Sequence, residues 1–182
     1  MSPSESTSWL PVHVESMKEE DLDAVLSIEE ASFVNPWSRQ VFLAELYENR
    51  VAHLFVACVS EGPQRGRVVG YSCTWAVAGE LHITNFAVHA EFRREHVGQQ
   101  LLAGLLIRAH ELRCREAILE VRASNFAAQR LYARFGFAPV AVRKRYYTDN
   151  HEDAIIMFLD DLDSQLQSSR FARQSSPPGI VQ

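Results

Sequence analysis

The chain has 182 residues, 47% of them hydrophobic and 23% charged, a balance that fits one globular domain long enough to bury a core. It has no apolar run of the ~18 residues that a membrane span needs, and its formal net charge of −5 argues against general nucleic-acid binding. The opening residues, MSPSESTSWLPV, have neither a basic start nor an apolar stretch, and Cys58, Cys73 and Cys114 follow no metal or redox spacing, so the expected setting is a reducing cytoplasm with buried thiols.

In chain order, residues 1–10 read as loose, and residues 11–160 as the folded domain. VHVES is a first short strand. KEEDLDAVLSIEEASF is a helix, with Leu22, Val25 and Leu26 at helical spacing and acids in its first turn. NPWSRQVFLAELYENR is expected to be a second helix, with Pro36 at a permitted early position. AHLFVACVS and RVVGYSCTWAV are strands joined through EGPQRG, and ELHITNFAVH is a fourth strand. A helix from Val97 to Arg113 turns Val97, Leu101, Leu102, Leu105, Ala109 and Leu112 inward. EAILEVRA is a fifth strand. NFAAQRLYARFG is a helix with Ser124 or Asn125 as cap and Gly136 as terminator. FAPVAVRKRYYT and EDAIIMFLD pair as a last hairpin, and residues 161–182 read as a flexible tail.

Charge is unevenly spread. Residues 1–50 hold ten acids and three bases, whereas residues 91–145 hold eleven bases and five acids. An anionic ligand suits the second region and a basic partner suits the first. No GxSxG elbow, P-loop or HExxH pattern occurs, and His82, His89 and His96 fit no zinc spacing, so no metal is expected. What remains is a strand feeding an arginine-rich turn that opens a helix, Arg93 to Gln100, a recurrent anion site.

Two stretches carry a resemblance: NFAVHAEFRREHVGQQLL and LEVRASNFAAQRLYARFGF, the latter followed by RKRYYTDNHEDAIIM and preceded far upstream by NPWS. Together they resemble the GNAT superfamily of N-acetyltransferases, and within it the RimI branch, which acetylates the N-terminal alanine of a small-subunit ribosomal protein. The superfamily's cofactor turn, Q/R-x-x-G-x-G/A, would run from Arg93 to Gly98, with His96 where the first glycine is expected. The resemblance spans about residues 11–160. It implies an α/β (α+β) fold: a mixed, mostly antiparallel twisted sheet of about six to seven strands flanked by about four helices.

The resemblance also implies acetyl-CoA as co-substrate. Arg93 and Arg94 would face its phosphates; His96, Val97, Gly98, Gln99 and Gln100 would surround the pyrophosphate; Asn125 would meet the pantetheine arm. Phe86, Ala87 and Val88 would also bind the cofactor, a backbone N–H near Ala87–Val88 holding the oxyanion. Glu120 would serve as base and Tyr132 as acid, roles that a strand-end carboxylate and a phenol can fill chemically. Pro36, Trp37, Tyr146 and Tyr147 would wall a peptide groove.

An α-amine leaves on the order of 10% neutral at pH 7 and a lysine less than roughly 0.1%, so one carboxylate base suits an α-amine better. The expected partner is a protein N-terminus, that of a basic ribosomal protein, with no direct nucleic acid and no membrane. Two other readings stay open: an acetyltransferase of broader N-terminal, lysine or small-amine specificity, and a CoA-binding or ribosome-associated module without turnover.

Overall fold

A computed structural model describes residues 9–168 and Phe171. The expectations for residues 1–8 and for the rest of the tail lie outside the described residues. Seven strands form one sheet: β1 (Val12–Ser16), β2 (Ala52–Val59), β3 (Val68–Val77), β4 (Glu80–Val88), β5 (Glu116–Arg122), β6 (Ala138–Arg143) and β7 (Ala154–Leu159). Their order is β1-β2-β3-β4-β5-β7-β6. Every neighbouring pair is antiparallel except β4 and β5. The helices are α1 (Leu22–Ser32), α2 (Arg39–Tyr47), α3 (Val97–Glu111), α4 (Phe126–Arg134) and α5 (Leu162–Gln167).

β2 is buried on both faces, and its alternation separates two layers. Leu54, Val56 and Cys58 pack with Leu22, Val25 and Ile28 of α1 and Phe42 of α2. Phe55 packs on the opposite face, with Leu102, Leu105 and Leu106 of α3 and Leu162 of α5. The α3 leucines 101, 102, 105 and 106 are each fully buried, worth about 1.5–3 kcal/mol apiece on transfer from water. Leu112 departs from its expected inward position: it caps α3 and is 37% exposed.

Two features shape the sheet around β4. The parallel pairing of β4 and β5 covers only Glu80–Ile83 against Glu116–Leu119, although both strands run further. Beyond that point they diverge, leaving the edge groups of β4 facing an opening. The second feature is a bulge in β4. Cys73 pairs with Asn85 but Thr74 pairs with Ile83, so Thr84 is the extra residue. Its hydroxyl donates to the Cys73 carbonyl at 3.0 Å. One extra residue inverts the facing of everything after it. Leu81 and Ile83 point to the α3 layer, yet Ala87 packs in the α1 layer, while Phe86 and Val88 face α3.

Three stretches fold differently from what their local pattern predicts. Residues 35–38 form no part of the second helix: α2 begins at Arg39, with Ser38 as cap accepting from the Val41 N–H. A helical pattern continues through Asn35–Trp37, but a proline at 36 disfavours helical geometry at Asn35 and the chain turns instead. Residues 9 and 10, read as loose, are tied down by hydrogen bonds from Leu10 N to Glu95 O and from Gln100 Nε2 to Leu10 O. Within the tail read as flexible, Asp161 caps α5 through the Ser164 N–H, and Leu162 and Phe171 are buried in the α3 core. Two apolar side chains among polar ones give little period to read, but both are buried in one cluster with Phe135 and Leu159.

Candidate functional site

The diverging ends of β4 and β5 enclose a cleft of about 1010 Å³. Its walls are the end of β4, the turn into α3, the start of α4, the α1–α2 loop and the β6–β7 loop.

The cofactor-side turn is a left-handed kink. Arg94 and His96 have φ of 73° and 61°. For residues with a side chain, this conformation costs on the order of 1 kcal/mol each, and histidine tolerates it better than most. Glycine is not required for φ at Gly98, whose hypothetical Cβ would sit 3.4 Å from Leu131 and 3.6 Å from Val88, an ordinary contact. The pattern's acceptance of Gly or Ala there has that steric reading. The His96 carbonyl accepts from the N–H groups of both Gln99 and Gln100 at 3.1 Å. Helix geometry therefore leaves Val97 and Gly98 as the open donors at this N-terminus.

The predicted cofactor residues sort accordingly. Phe86, Ala87, Val88, Arg93, Arg94, His96, Val97, Gly98, Gln99 and Asn125 all line the cleft. Gln100 does not. Its amide points away, accepting from Val12 N at 3.0 Å and donating to Leu10 O at 2.7 Å, so it fastens β1 to α3. Arg93 is partly committed as well, to Val88 O at 3.1 Å and Ser32 Oγ at 3.3 Å, joining the end of β4 to α1. Asn125 caps α4, accepting from Ala128 N at 3.1 Å. Arg130 and Arg134 were not singled out from sequence, yet both line the cleft one helical turn apart and, with Arg94, form no ion pair among the described residues. Basic residues at i and i+4 beside a basic turn were the available signal.

At the cleft's centre, His89 N donates back to Val69 O on β3. Strand N–H groups alternate, so the Val88 N–H points to the opening and that of Ala87 points back to β3. Tyr132 is 6% exposed, set between Phe86 and Phe137, with centroids 5.9 and 5.8 Å away. Burial raises its phenol well above the ordinary 10.0, so it stays protonated. Among the described residues nothing hydrogen-bonds its hydroxyl, and it borders the cleft. Leu119 and Val121 of β5 belong to the α3 core, which turns the intervening Glu120 to the other face. There it pairs with Arg143 Nη1 at 2.9 Å while remaining 30% exposed. No cysteine lines the cleft: all three thiols are buried, and burial pushes each of them up.

The opposite wall is built by side chains. Glu29, fully buried in α1, accepts from Trp37 N at 2.8 Å, from Asn85 Nδ2 at 3.3 Å and from the Tyr71 hydroxyl. Burial raises its carboxyl above the ordinary range, against the lowering effect of the Trp37 and Asn85 bonds. It thus fastens the α1–α2 loop to β4 just past the bulge. Trp37 lines the cleft; Pro36 is exposed outside it, and Asn35 takes a place in the wall. Glu29 was not singled out from sequence, where it stands beside another helix acid, Glu30. Its only signal is that it falls on the apolar face, one residue after Ile28 and four after Val25.

Tyr146 and Tyr147 do line the cleft, but from the β6–β7 connection and not from a strand. A second network holds that loop. Arg122, beside Glu120 on β5, reaches Asp149 at 2.9 Å and Glu152 at 3.3 Å, with its guanidinium 3.8 Å from the Tyr147 ring centroid. Burial pushes the Tyr147 phenol up to about 12. Away from the cleft, His13, Glu15 and Cys58 bring one donor atom each within 4.8 Å of one another. There the Glu15 carboxylate already accepts from the thiol at 3.7 Å, and burial pushes that thiol up to about 12, so its proton stays.

Comparison with known proteins agrees with this architecture. Residues 22–137 match the model of the Acetyltransferase (GNAT) family. A Bacillus subtilis (strain 168) protein, provisionally named as a ribosomal protein bS18-alanine N-acetyltransferase, is 41% identical over 146 residues, 80% of this chain and 93% of its own. The ribosomal protein bS18-alanine N-acetyltransferase of Escherichia coli (strain K12) is 33% identical over 148 residues, 80% of this chain and 95% of its own. A crystal structure of the ribosomal-protein-S18-alanine N-acetyltransferase from Escherichia coli superposes with a TM-score of 0.71 at 32% identity, covering 82% of this chain and 93% of that one. With a family match over most of the fold and relatives of this similarity along nearly their whole length, the chain belongs to the GNAT family and is an acetyl-CoA-dependent N-acetyltransferase.

Proposed function

We propose that the chain transfers acetyl from acetyl-CoA to a protein N-terminal α-amine in the cytoplasm, and that its acceptor is the N-terminal alanine of a small-subunit ribosomal protein of the bS18 kind. The observation that carries this reading is that Glu120, Tyr132 and the outward N–H of Val88 border one cleft, with a basic rim on one side and a loop-built groove on the other. The names of the relatives supply the acceptor.

Acetyl-CoA supplies a thioester carbon open to an amine and a thiolate that needs a proton. The residues present fit it: Val97 and Gly98 offer N–H groups at a helix start, and Arg94, Arg130 and Arg134 offer charge for its phosphates. Glu120 takes the proton that the attacking amine must lose, directly or through a water; the half-exposed Arg143 partner is worth little there and releases it readily. The Val88 N–H steadies the charge that develops on the carbonyl oxygen. As the carbon–sulfur bond breaks, the Tyr132 hydroxyl gives the sulfur its proton. With no cysteine in the cleft, transfer passes straight from donor to acceptor.

On the acceptor side, Trp37, Tyr146 and Tyr147 wall the groove. Residues 1–50 hold ten acids against three bases, a balance that suits a basic peptide tail. Incubation with acetyl-CoA and a basic peptide carrying both an N-terminal alanine and internal lysines tests the reading, with tandem mass spectrometry locating the acetyl group. The expected site is the α-nitrogen. Acetylation confined to lysine, or transfer only to a free polyamine, contradicts it.

A further inference from the structure

His96 stands where the family pattern has glycine, in a left-handed conformation, and its ring is held on two sides. Trp9 stacks on it at 4.7 Å between centroids with 20° between planes, and Gln99 Oε1 lies 3.0 Å from Nδ1. The segment carrying Trp9 is fastened on both flanks of the turn: Leu10 N to Glu95 O at 3.2 Å before His96, and the Gln100 amide to Leu10 O and Val12 N at 2.7 and 3.0 Å after it. We propose that Trp9 is a positioning residue for the cofactor: by stacking on His96 it keeps the imidazole from swinging over the Val97 and Gly98 N–H groups, and so lets histidine occupy a glycine position.

The physical reasoning is steric. A glycine at 96 would leave these donors open whatever the rest of the chain did. A histidine brings a ring whose base is fixed by the backbone and whose plane can still turn about the side-chain bonds. His96 borders the cleft beside Val97 and Gly98, so a ring free to turn would share the space in front of these donors. The stack fixes the face of the ring and Gln99 fixes its edge, which leaves one orientation. Trp9 touches no predicted catalytic group, and its effect travels through His96 alone.

This inference rests on the cleft being the acetyl-CoA site. Titration calorimetry of CoA against the whole chain tests both, with Trp9→Ala, Trp9→Phe, His96→Gly and the double variant Trp9→Ala/His96→Gly. Trp9→Ala should weaken CoA by about 3- to 10-fold, the range an aromatic stack supports, and Trp9→Phe should retain most of the affinity. His96→Gly should bind at least as tightly as the parent, and in that background Trp9→Ala should change affinity by less than about 2-fold. Parental affinity in Trp9→Ala overturns the proposal. So does an equal loss in both backgrounds, which would make Trp9 a general fastener of the fold. A parent chain that fails to bind CoA refutes the assignment of the cleft itself.

Discussion

The two walls of the cleft are made differently. The cofactor wall is mostly backbone: the unpaired edge of β4 beyond Ile83, a left-handed turn and the first N–H groups of α3, with arginines at the rim. The acceptor wall is held by two charged side chains, Glu29 and Arg122, each of which ties a loop to the sheet through several bonds. A backbone-made wall keeps its N–H donors when side chains change. A wall hung on one carboxylate or one guanidinium depends on that side chain. Substitutions should therefore separate donor binding from acceptor binding, with the shared chemistry between them.

The largest effect is expected where the walls meet. Glu120→Gln should lower kcat by about 10²- to 10⁴-fold, the usual contribution of a positioned base, while calorimetric CoA affinity stays within about 2-fold. Tyr132→Phe should lower kcat by about 10²-fold and leave the peptide KM unchanged, since the ring and its contacts to Phe86 and Phe137 remain. If neither substitution slows turnover, the roles assigned to them are wrong.

The acceptor wall comes next. Glu29→Gln leaves one oxygen for three donors, so stability should fall by about 2 kcal/mol, and the peptide KM should rise about 5- to 10-fold while CoA affinity holds. A KM that does not move would show that the α1–α2 loop keeps its place without the carboxylate. On the cofactor wall the reverse split is expected. Arg130→Ala and Arg134→Ala should each weaken CoA by about 3- to 10-fold at low salt, an effect that shrinks as salt rises, with the peptide KM unaffected.

The smallest effect concerns pH and the β6–β7 loop. Bonds from Ser124, and then from Asn150 and Arg122, hold the Glu152 carboxyl at about 2 against an ordinary 4.5. A depressed carboxylate stabilises the fold above its ordinary value and loses that contribution as pH falls towards the depressed one. Melting followed from pH 5 to about pH 2 should therefore show a decline that Glu152→Gln flattens. Parallel declines in the two proteins would remove this loop from the account.

The same contrast explains what could be read in the sequence. The cofactor wall is local. β4, its turn and α3 are contiguous, as are β5, the Asn125 cap and α4, so pattern, caps and charge were legible there together. Even so, the turning of the Gln100 amide away from the cleft was not legible, because its partners at Leu10 and Val12 are 90 and 88 residues away. The acceptor wall depends on such distances throughout. Glu29 meets Tyr71 and Asn85 across 42 and 56 positions, and Arg122 meets Asp149 across 27. Nothing local marks a helix acid as the anchor of a loop. The β4 bulge was equally hidden, since one extra residue shows only against the partner strand.

If this cleft carries acetyl from its basic side to an α-amine on the other, blocking that amine must stop the transfer. The most direct measurement is the rate of CoA thiol release with a short peptide beginning in alanine, beside the same peptide with its N-terminus blocked. Turnover with the free peptide that falls to background with the blocked one is the predicted result. Equal rates with the two peptides, or background rates with both, would contradict it.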